Sequence, residues 1–288
     1  MQFVITGISR GGLYALMALG LTLIYGVMDV SNFAYGEFYM IGAYMGYFAV
    51  TDLGLHPLLG IVAAGIVSFL AGALAERGLF YPMRRGFVRG EWLMNTFVLT
   101  LGIRIVLQNA AQIILGPKYR GIQSPLGNVR ILGVSIGGER IFCFVLALVA
   151  IGAVWLLLHR TEIGRAMRAV AQSERGAMLV GINRDNIYTL AFGISTMMAG
   201  IAGASLLSIN PAYPGAGIQP NTSSWFVMIL AGMGSVGGAV ISGLGLGLME
   251  TFFYRSLGSG WQNVATLCIL ILTLVVRPAG LFGSKVKG

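Results

Sequence analysis

Apolar runs of about 20 residues, with charges gathered at their ends, recur along this chain, and they leave few folds open. Coiled as a helix, such a run spans about 30 Å, the thickness of a bilayer's hydrocarbon. In lipid every backbone polar group must bond within the protein, which leaves helices and closed barrels. A barrel would show alternating hydrophobicity, and these runs do not alternate. A content of 56% hydrophobic and 10% charged residues, with 43 glycines and a mean hydropathy of +0.81, exceeds what a soluble core absorbs. The expected fold class is an all-α, polytopic integral membrane protein of about eight or nine transmembrane helices, with broken or re-entrant segments.

The spans read as follows. The first is Gly11 to Met28, after a half-polar lead ending at Arg10, and the polar interruption Asp29 to Glu37 separates it from a second that runs to Val50. Pro57 opens a third ending near Leu79, before a basic loop with Arg77, Arg84, Arg85 and Arg89, and the fourth runs from Trp92 to Leu115. The loop from Gly116 to Arg140 has room for a β-hairpin or an extended cover. The fifth span is Ile141 to Leu158 and the sixth Tyr188 to Ile209. After the loop NPAYPGAGIQPN comes a glycine-broken region, Trp225 to Tyr254, then a last span ending at Val276 and a basic tail. The amino terminus has neither a basic n-region nor a cleavage site, so the first span is expected to be retained.

The net charge of +9 lies at span ends, where it orients a membrane protein; it forms no stripe that would bind nucleic acid. By the positive-inside rule the loop 77 to 89, the segment 159 to 187 and the tail are cytoplasmic. An even number of crossings must then lie between that segment and the tail, so Trp225 to Tyr254 either crosses twice or dips and returns. The same counting puts the amino terminus outside, unless the break at Asp29 to Glu37 is re-entrant.

The segment His159 to Ile187 is the one long polar stretch, and it must sit in water beside the membrane. Ile163, Met167, Val170 and Ala171 recur at helical spacing, with Arg165, Arg168 and Gln172 opposite, which predicts an amphipathic helix. Ser173 is placed to cap a second, shorter helix with Ala177 to Val180 as its apolar body, and Gly181 supplies a positive-φ stop before Ile182 and Asn183. The result is a helical elbow that a soluble partner can grip.

Polar residues within spans are functional candidates because they are costly there. Asn32, Tyr35, Gly36 and Glu37 break the chain before the second span, with a cytoplasmic capping role for Glu37 as the alternative. Arg104, Gln108 and Gln112 recur every fourth residue on one face of the fourth span. Arg104 is expected to pair with Glu37 or Glu250, or to line a wet path; Glu250 is otherwise an interfacial helix end near Arg255. The spacings Gly42-xxx-Gly46, Gly234-xxx-Gly238 and Gly243-xxx-Gly247 are read as packing devices. Aligning Gly36 to Phe38 with Gly237 to Ala239 also matches Gly42 with Gly243 and Gly46 with Gly247, which raises an internal repeat of the kind that places broken helices near a permeation path. Cys143 and Cys268 fall in separate apolar runs as packing residues, not as a disulfide or metal pair. His56 and His159 fall on opposite sides of the membrane, and no H-E-x-x-H, G-x-S-x-G or Walker A sequence occurs, so no catalytic residue, metal ligand or cofactor is expected.

GLTLIYGVMDVSNFAYGEFYMIGAY (Gly20 to Tyr44), GRAMRAVAQSERGAMLVGIN with AFGISTMMAGIAGA, and ILAGMGSVGGAVISG (Ile229 to Gly243) resemble, in order, three motifs of the permease subunits of branched-chain amino acid ABC importers. The length is similar to the smaller permease of the pair. The resemblance implies a single transmembrane permease domain over residues 1–288, with a coupling loop at 159–187, in a bacterial inner membrane. It implies a non-catalytic subunit that pairs with a second, homologous permease, two cytoplasmic ATPase subunits and a periplasmic binding protein. Coupling would fall to Glu162, Gly164, Arg165, Arg168, Glu174, Ala177, Gly181, Ile182 and Asn183. Where many ABC permeases have Glu-Ala-Ala, this chain has Arg175, Gly176 and Ala177, with Glu174 displaced by one. Related permeases also carry urea, short amides or other amino acids. The rival from residues alone is an ion-coupled secondary transporter using Glu37, Arg104 and Glu250; an intramembrane enzyme lacks a nucleophile and base, and a bilayer scaffold leaves Arg104 unexplained.

Overall fold

The computed structural model describes residues 2–86, 89–123, 127–131 and 134–283. Its helices are α1 (Gln2–Met28), α2 (Tyr35–Thr51), α3 (Pro57–Ala75), a π turn (Glu76–Phe80), α4 (Tyr81–Gly86), α5 (Arg89–Leu115), α6 (Gly138–Arg160), α7 (Glu162–Gln172), α8 (Glu174–Leu179), α9 (Arg184–Ser205), α10 (Ile218–Ala231), α11 (Val236–Leu257) and α12 (Ser259–Val276). Among the described residues six helices are long and apolar enough to cross a bilayer, fewer than the eight or nine spans expected, and Val264–Val276 within α12 is apolar but shorter. Of the hairpin and the extended cover left open for the loop after α5, the hairpin is present, as the antiparallel pair β1 (Asn128–Ile131) and β2 (Val134–Gly137), in register Asn128 with Gly137. The chain divides into two compact units, Leu23–Ile122 with Gly152–Asn221, and Met1–Thr22 with Gln123–Ile151 and Thr222–Gly288.

In the first of these α9 is the central helix, flanked by α2 and α3. Small residues let three backbones meet. A Cβ at Gly42 would collide with the backbone of Gly200, one at Gly203 with the Tyr39 carbonyl, and one at Gly72 with Thr196. Gly42 with Gly200 and Gly46 with Ala204 make α2 parallel to α9, whereas Gly72 with Thr196 and Gly65 with Ile201 make α3 antiparallel to it. Because α2 runs parallel, its start can be placed by depth. The Tyr35 hydroxyl donates to the Ser195 carbonyl (3.3 Å) and the Phe38 ring meets Phe192 edge-on, both near the middle of α9. The start of α2, and the turn Asp29 to Ala34 before it, therefore lie near the middle of α9, about 15 Å from the end of that helix. The loop after α9 comes back to the same level: it pairs Ala212 with Arg120 and sets Gly217 against Gly36, where α10 begins.

In the other unit α11 crosses α1 by the same device, with Gly247 on Gly11 and Gly243 on Ala15. The tail folds onto the end of α10, Leu281 N–H donating to Leu230 O and Phe282 N–H to Ala231 O, both 2.9 Å. The end of α10 and the end of α12 thus share one level; α11 leaves it and α12 returns. Arg140 donates to Thr6 (3.0 Å), so α1 and α6 start on the same side.

Several expectations need correcting. The lead before Gly11 is helical and belongs to α1, and the helix of the sixth span ends at Ser205. The basic loop at 77 to 89 is mostly helix, where described, because Glu76 and Arg84 bond along it; residues 87–88 lie outside the described set. The last residues of NPAYPGAGIQPN, from Ile218, start α10. Trp225 to Tyr254 is two helices joined by a turn in which Gly232 and Gly234 have positive φ, so Gly234-xxx-Gly238 is not a packing pair on one helix. Cys143 is buried in α6, but Cys268 is on the exposed face of α12 and packs nothing.

Overpacking a tight crossing costs about 1–3 kcal/mol or more. Gly200→Leu is expected to lower the melting temperature and monodisperse yield in detergent sharply, while Gly102→Leu, whose Cβ meets nothing within 4 Å, leaves both near their native values.

Candidate functional site: a polar elbow and a buried helix break

The elbow forms as its sequence dictates. Thr161 Oγ accepts from Gly164 N–H (3.1 Å) to start α7, and Ser173 Oγ accepts from Gly176 N–H (3.0 Å) to start α8. Gly181, at φ +83°, ends α8 with a pair of back-bonds, its own N–H to Met178 O (3.1 Å) and Ile182 N–H to Ala177 O (3.0 Å). That is the Schellman arrangement, which needs a residue at positive φ and favours glycine. Asn183 then accepts from Asp185 and Asn186 to start α9.

The buried face of α7 is Gly164, Met167 and Val170, with Gly164 against the carbonyls of Leu157 and Leu158. Ile163 and Ala171 face outward, contrary to the expected stripe, because close approach to α6 selects the glycine face. Arg168 turns back to donate to Leu158 O, whereas Arg165 and Glu162 pair in solvent (3.2 Å). In α8 only Ala177 is buried. Met178, Leu179 and Val180, expected as an apolar body, are exposed, Leu179 by 88%. Glu174 is held by Arg184.

A charge cluster missed in the sequence lies next to the elbow. Arg84, nearly buried, bonds Glu76 Oε1 (3.1 Å) and Asp185 Oδ1 (2.8 Å), with its guanidinium 4.6 Å from the Tyr188 ring centre. Thr189 donates to Glu76 Oε2 (2.6 Å), and Arg77 donates to Thr189 (3.0 Å) and Asn186 (2.6 Å). Asp185 also meets Arg184, so one ionic chain runs from α8 through the start of α9 to the π turn. The signal was the Glu76 and Arg84 pair two turns apart.

At the break, Asp29 ends α1 at φ +56° with its N–H on Tyr25 O, a conformation Asp tolerates better than most residues. Asn32 Oδ1 accepts from Ala34 N–H (3.0 Å), and Glu37 sits in the first turn of α2, 2% exposed. Of the two carboxylates offered as partners for Arg104, Glu37 is the one near it, at 3.9 Å. Glu250 is elsewhere and buried: it accepts from Tyr14 Oη (2.9 Å) and Thr266 Oγ1 (3.5 Å). Gln108 is half-buried and Gln112 exposed, so the polar stripe of α5 turns away from the break after Arg104. Sequence reading also missed Asn221, whose Nδ2 donates to Phe33 O (3.1 Å) and whose Cβ lies against Gly36. His56 caps α3 and His159 stacks on Trp155. Among the described residues no group of His, Cys, Asp or Glu is placed to hold a metal.

Removing one member of a buried ion pair costs about 3–5 kcal/mol. Arg84→Met is therefore expected to unfold the chain in detergent at a much lower temperature, and Arg84→Met combined with Glu76→Gln to recover part of that loss, as read by thermal unfolding.

The family model for the branched-chain amino acid transport system permease component matches residues 3–276. The high-affinity branched-chain amino acid transport permease proteins BraD of Pseudomonas aeruginosa and LivH of Escherichia coli K12 are each 31% identical, over 98% of this chain and 95% of theirs. LivM of E. coli K12 is 27% identical over 93% of this chain and 67% of its own. No solved structure gives a significant match. With a multi-pass helical fold and near full-length similarity, the chain belongs to the branched-chain amino acid transport system permease family, as a LivH-like member.

Proposed function

We propose that this chain is the translocation subunit of an ATP-driven importer of branched-chain amino acids in the bacterial inner membrane. It works with a second, LivM-like permease, two cytoplasmic ATPase subunits and a periplasmic binding protein, and carries no catalytic group of its own. The observation that carries this reading is the elbow: a capped, rigid helix that leaves Met178, Leu179 and Val180 bare beside water. Apolar side chains so exposed mark a surface that a partner covers, and neither an ion-coupled transporter nor a membrane enzyme requires one.

The polar residues first expected to couple divide by role. Glu162 and Arg165 are free to meet a partner. Arg168, Glu174 and Asn183 hold the elbow to α6 and α9, and Gly164, Ala177, Gly181 and Ile182 set its shape. Motion imposed on α8 passes through Arg184 and Asp185 to Arg84 and the π turn, and so to α3 and α9, which frame the break.

The test is uptake in proteoliposomes. The chain with its partner subunits should accumulate L-leucine only with ATP and binding protein; uptake by this chain alone, driven by an ion gradient and insensitive to ATP depletion, would establish the secondary-transporter reading instead. Gly181→Leu, which forces a bulky residue to positive φ at a cost of about 1 kcal/mol, should leave insertion intact and uncouple ATP hydrolysis from uptake. Normal uptake by that variant would remove the elbow from the mechanism.

A further inference from the structure

We propose that the helix break binds the charged end of an amino-acid zwitterion, Glu37 and Asn221 receiving the ammonium group and Arg104 and Asn32 the carboxylate. The inference rests on the amino-acid permease reading and assigns a site within it. Three side chains gathered at this turn, from the turn itself, α2 and α10, are more than nine-tenths buried, and each holds an atom without a hydrogen-bond partner in the protein: Asn32 Nδ2, Glu37 Oε2 and Asn221 Oδ1. The other end of each amide is engaged, Asn32 Oδ1 by Ala34 N–H and Asn221 Nδ2 by Phe33 O, so the backbone of the turn fixes which end is left over.

Unpaired polar atoms at mid-bilayer depth are costly, and here they form a defined set. One charged and one neutral acceptor call for a donor-rich cation, which an ammonium group is. One amide donor, on the turn that leads into Glu37 and so toward Arg104, calls for an anion. Arg104 is poised for that, since its 3.9 Å approach to Glu37 is loose and its side chain is one-third exposed, leaving guanidinium N–H groups to spare. Tyr35 does not compete, its hydroxyl being bound to Ser195 O. Such a site reads the groups that all amino acids share. Selection among side chains then falls to the binding protein.

The experiment uses the assembled transporter in nanodiscs, with dicyclohexylcarbodiimide, which attacks carboxyls in apolar surroundings, as the probe and mass spectrometry of the Glu37 peptide as the readout. L-Leucine and isopentylamine, which carries the ammonium alone, should slow labelling at Glu37, and 4-methylpentanoate, which lacks it, should not. Glu37→Gln keeps size and packing but loses the charge. It should cut leucine uptake at least about tenfold, the worth of a charge-assisted hydrogen bond, while ATPase stimulation by the binding protein persists and Glu37→Asp restores part of the uptake. Leucine uptake by the native complex without protection of Glu37, or equal protection by 4-methylpentanoate, overturns the site and leaves the permease reading standing. Failure of the native complex to take up leucine overturns the permease reading, and the site with it.

Discussion

A chain that breaks its helix inside a bilayer must replace the backbone hydrogen bonds it gives up, and the structure around residues 29–37 is organised by that need. Ala34 N–H is taken by Asn32, Phe33 O by Asn221, Ser31 O by Thr100 (3.4 Å), and Glu37 N–H by Ala34 O (3.0 Å). Three separate stretches of chain meet at one turn to do this. They can meet only because glycine lets backbones touch, Gly36 on Gly217 and Gly42 on Gly200. Irregular backbone at membrane depth is tolerated where protein or a polar cavity encloses it, so the break and its enclosure are one feature.

The elbow obeys the opposite constraint. In the proposed function it lies in water, where backbone groups are satisfied cheaply, and its caps serve to fix direction. Thr161, Ser173, Gly181 and Asn183 set four consecutive helix ends within some twenty residues. A segment so closely punctuated is stiff. Stiffness suits the lever proposed for it, and the ionic chain from Glu174 to Glu76 joins the elbow to α9 and the π turn.

Local rules were legible in the sequence. The Ser173 cap and the Gly181 stop follow from spacing, and the hairpin after α5 and the Arg104 to Glu37 pair were each among the alternatives that composition, charge and the cost of polar atoms in lipid allowed. What spacing cannot carry is depth and partnership between distant stretches. Glu37 could be read either as an in-span polar group or as an interfacial cap because it opens a helix, and the packing of α2 on α9 sets the start of α2 near the middle of α9. Asn221 sat in a proline and glycine loop with nothing to mark it, and Arg84 read as one basic residue among several until Asp185, distant in sequence, closed on it. Ile163 and Ala171 satisfied the helical period, yet the glycine at 164 decided which face was buried.

The depth of the break is the claim on which the account turns, and aqueous thiol accessibility tests it most directly. In a Cys143→Ala, Cys268→Ala background, Ser31→Cys should react with a membrane-impermeant maleimide far more slowly than Glu162→Cys, from either side of the membrane. Reaction of the two positions at equal rates from the elbow's side would place the turn at the surface and contradict the account.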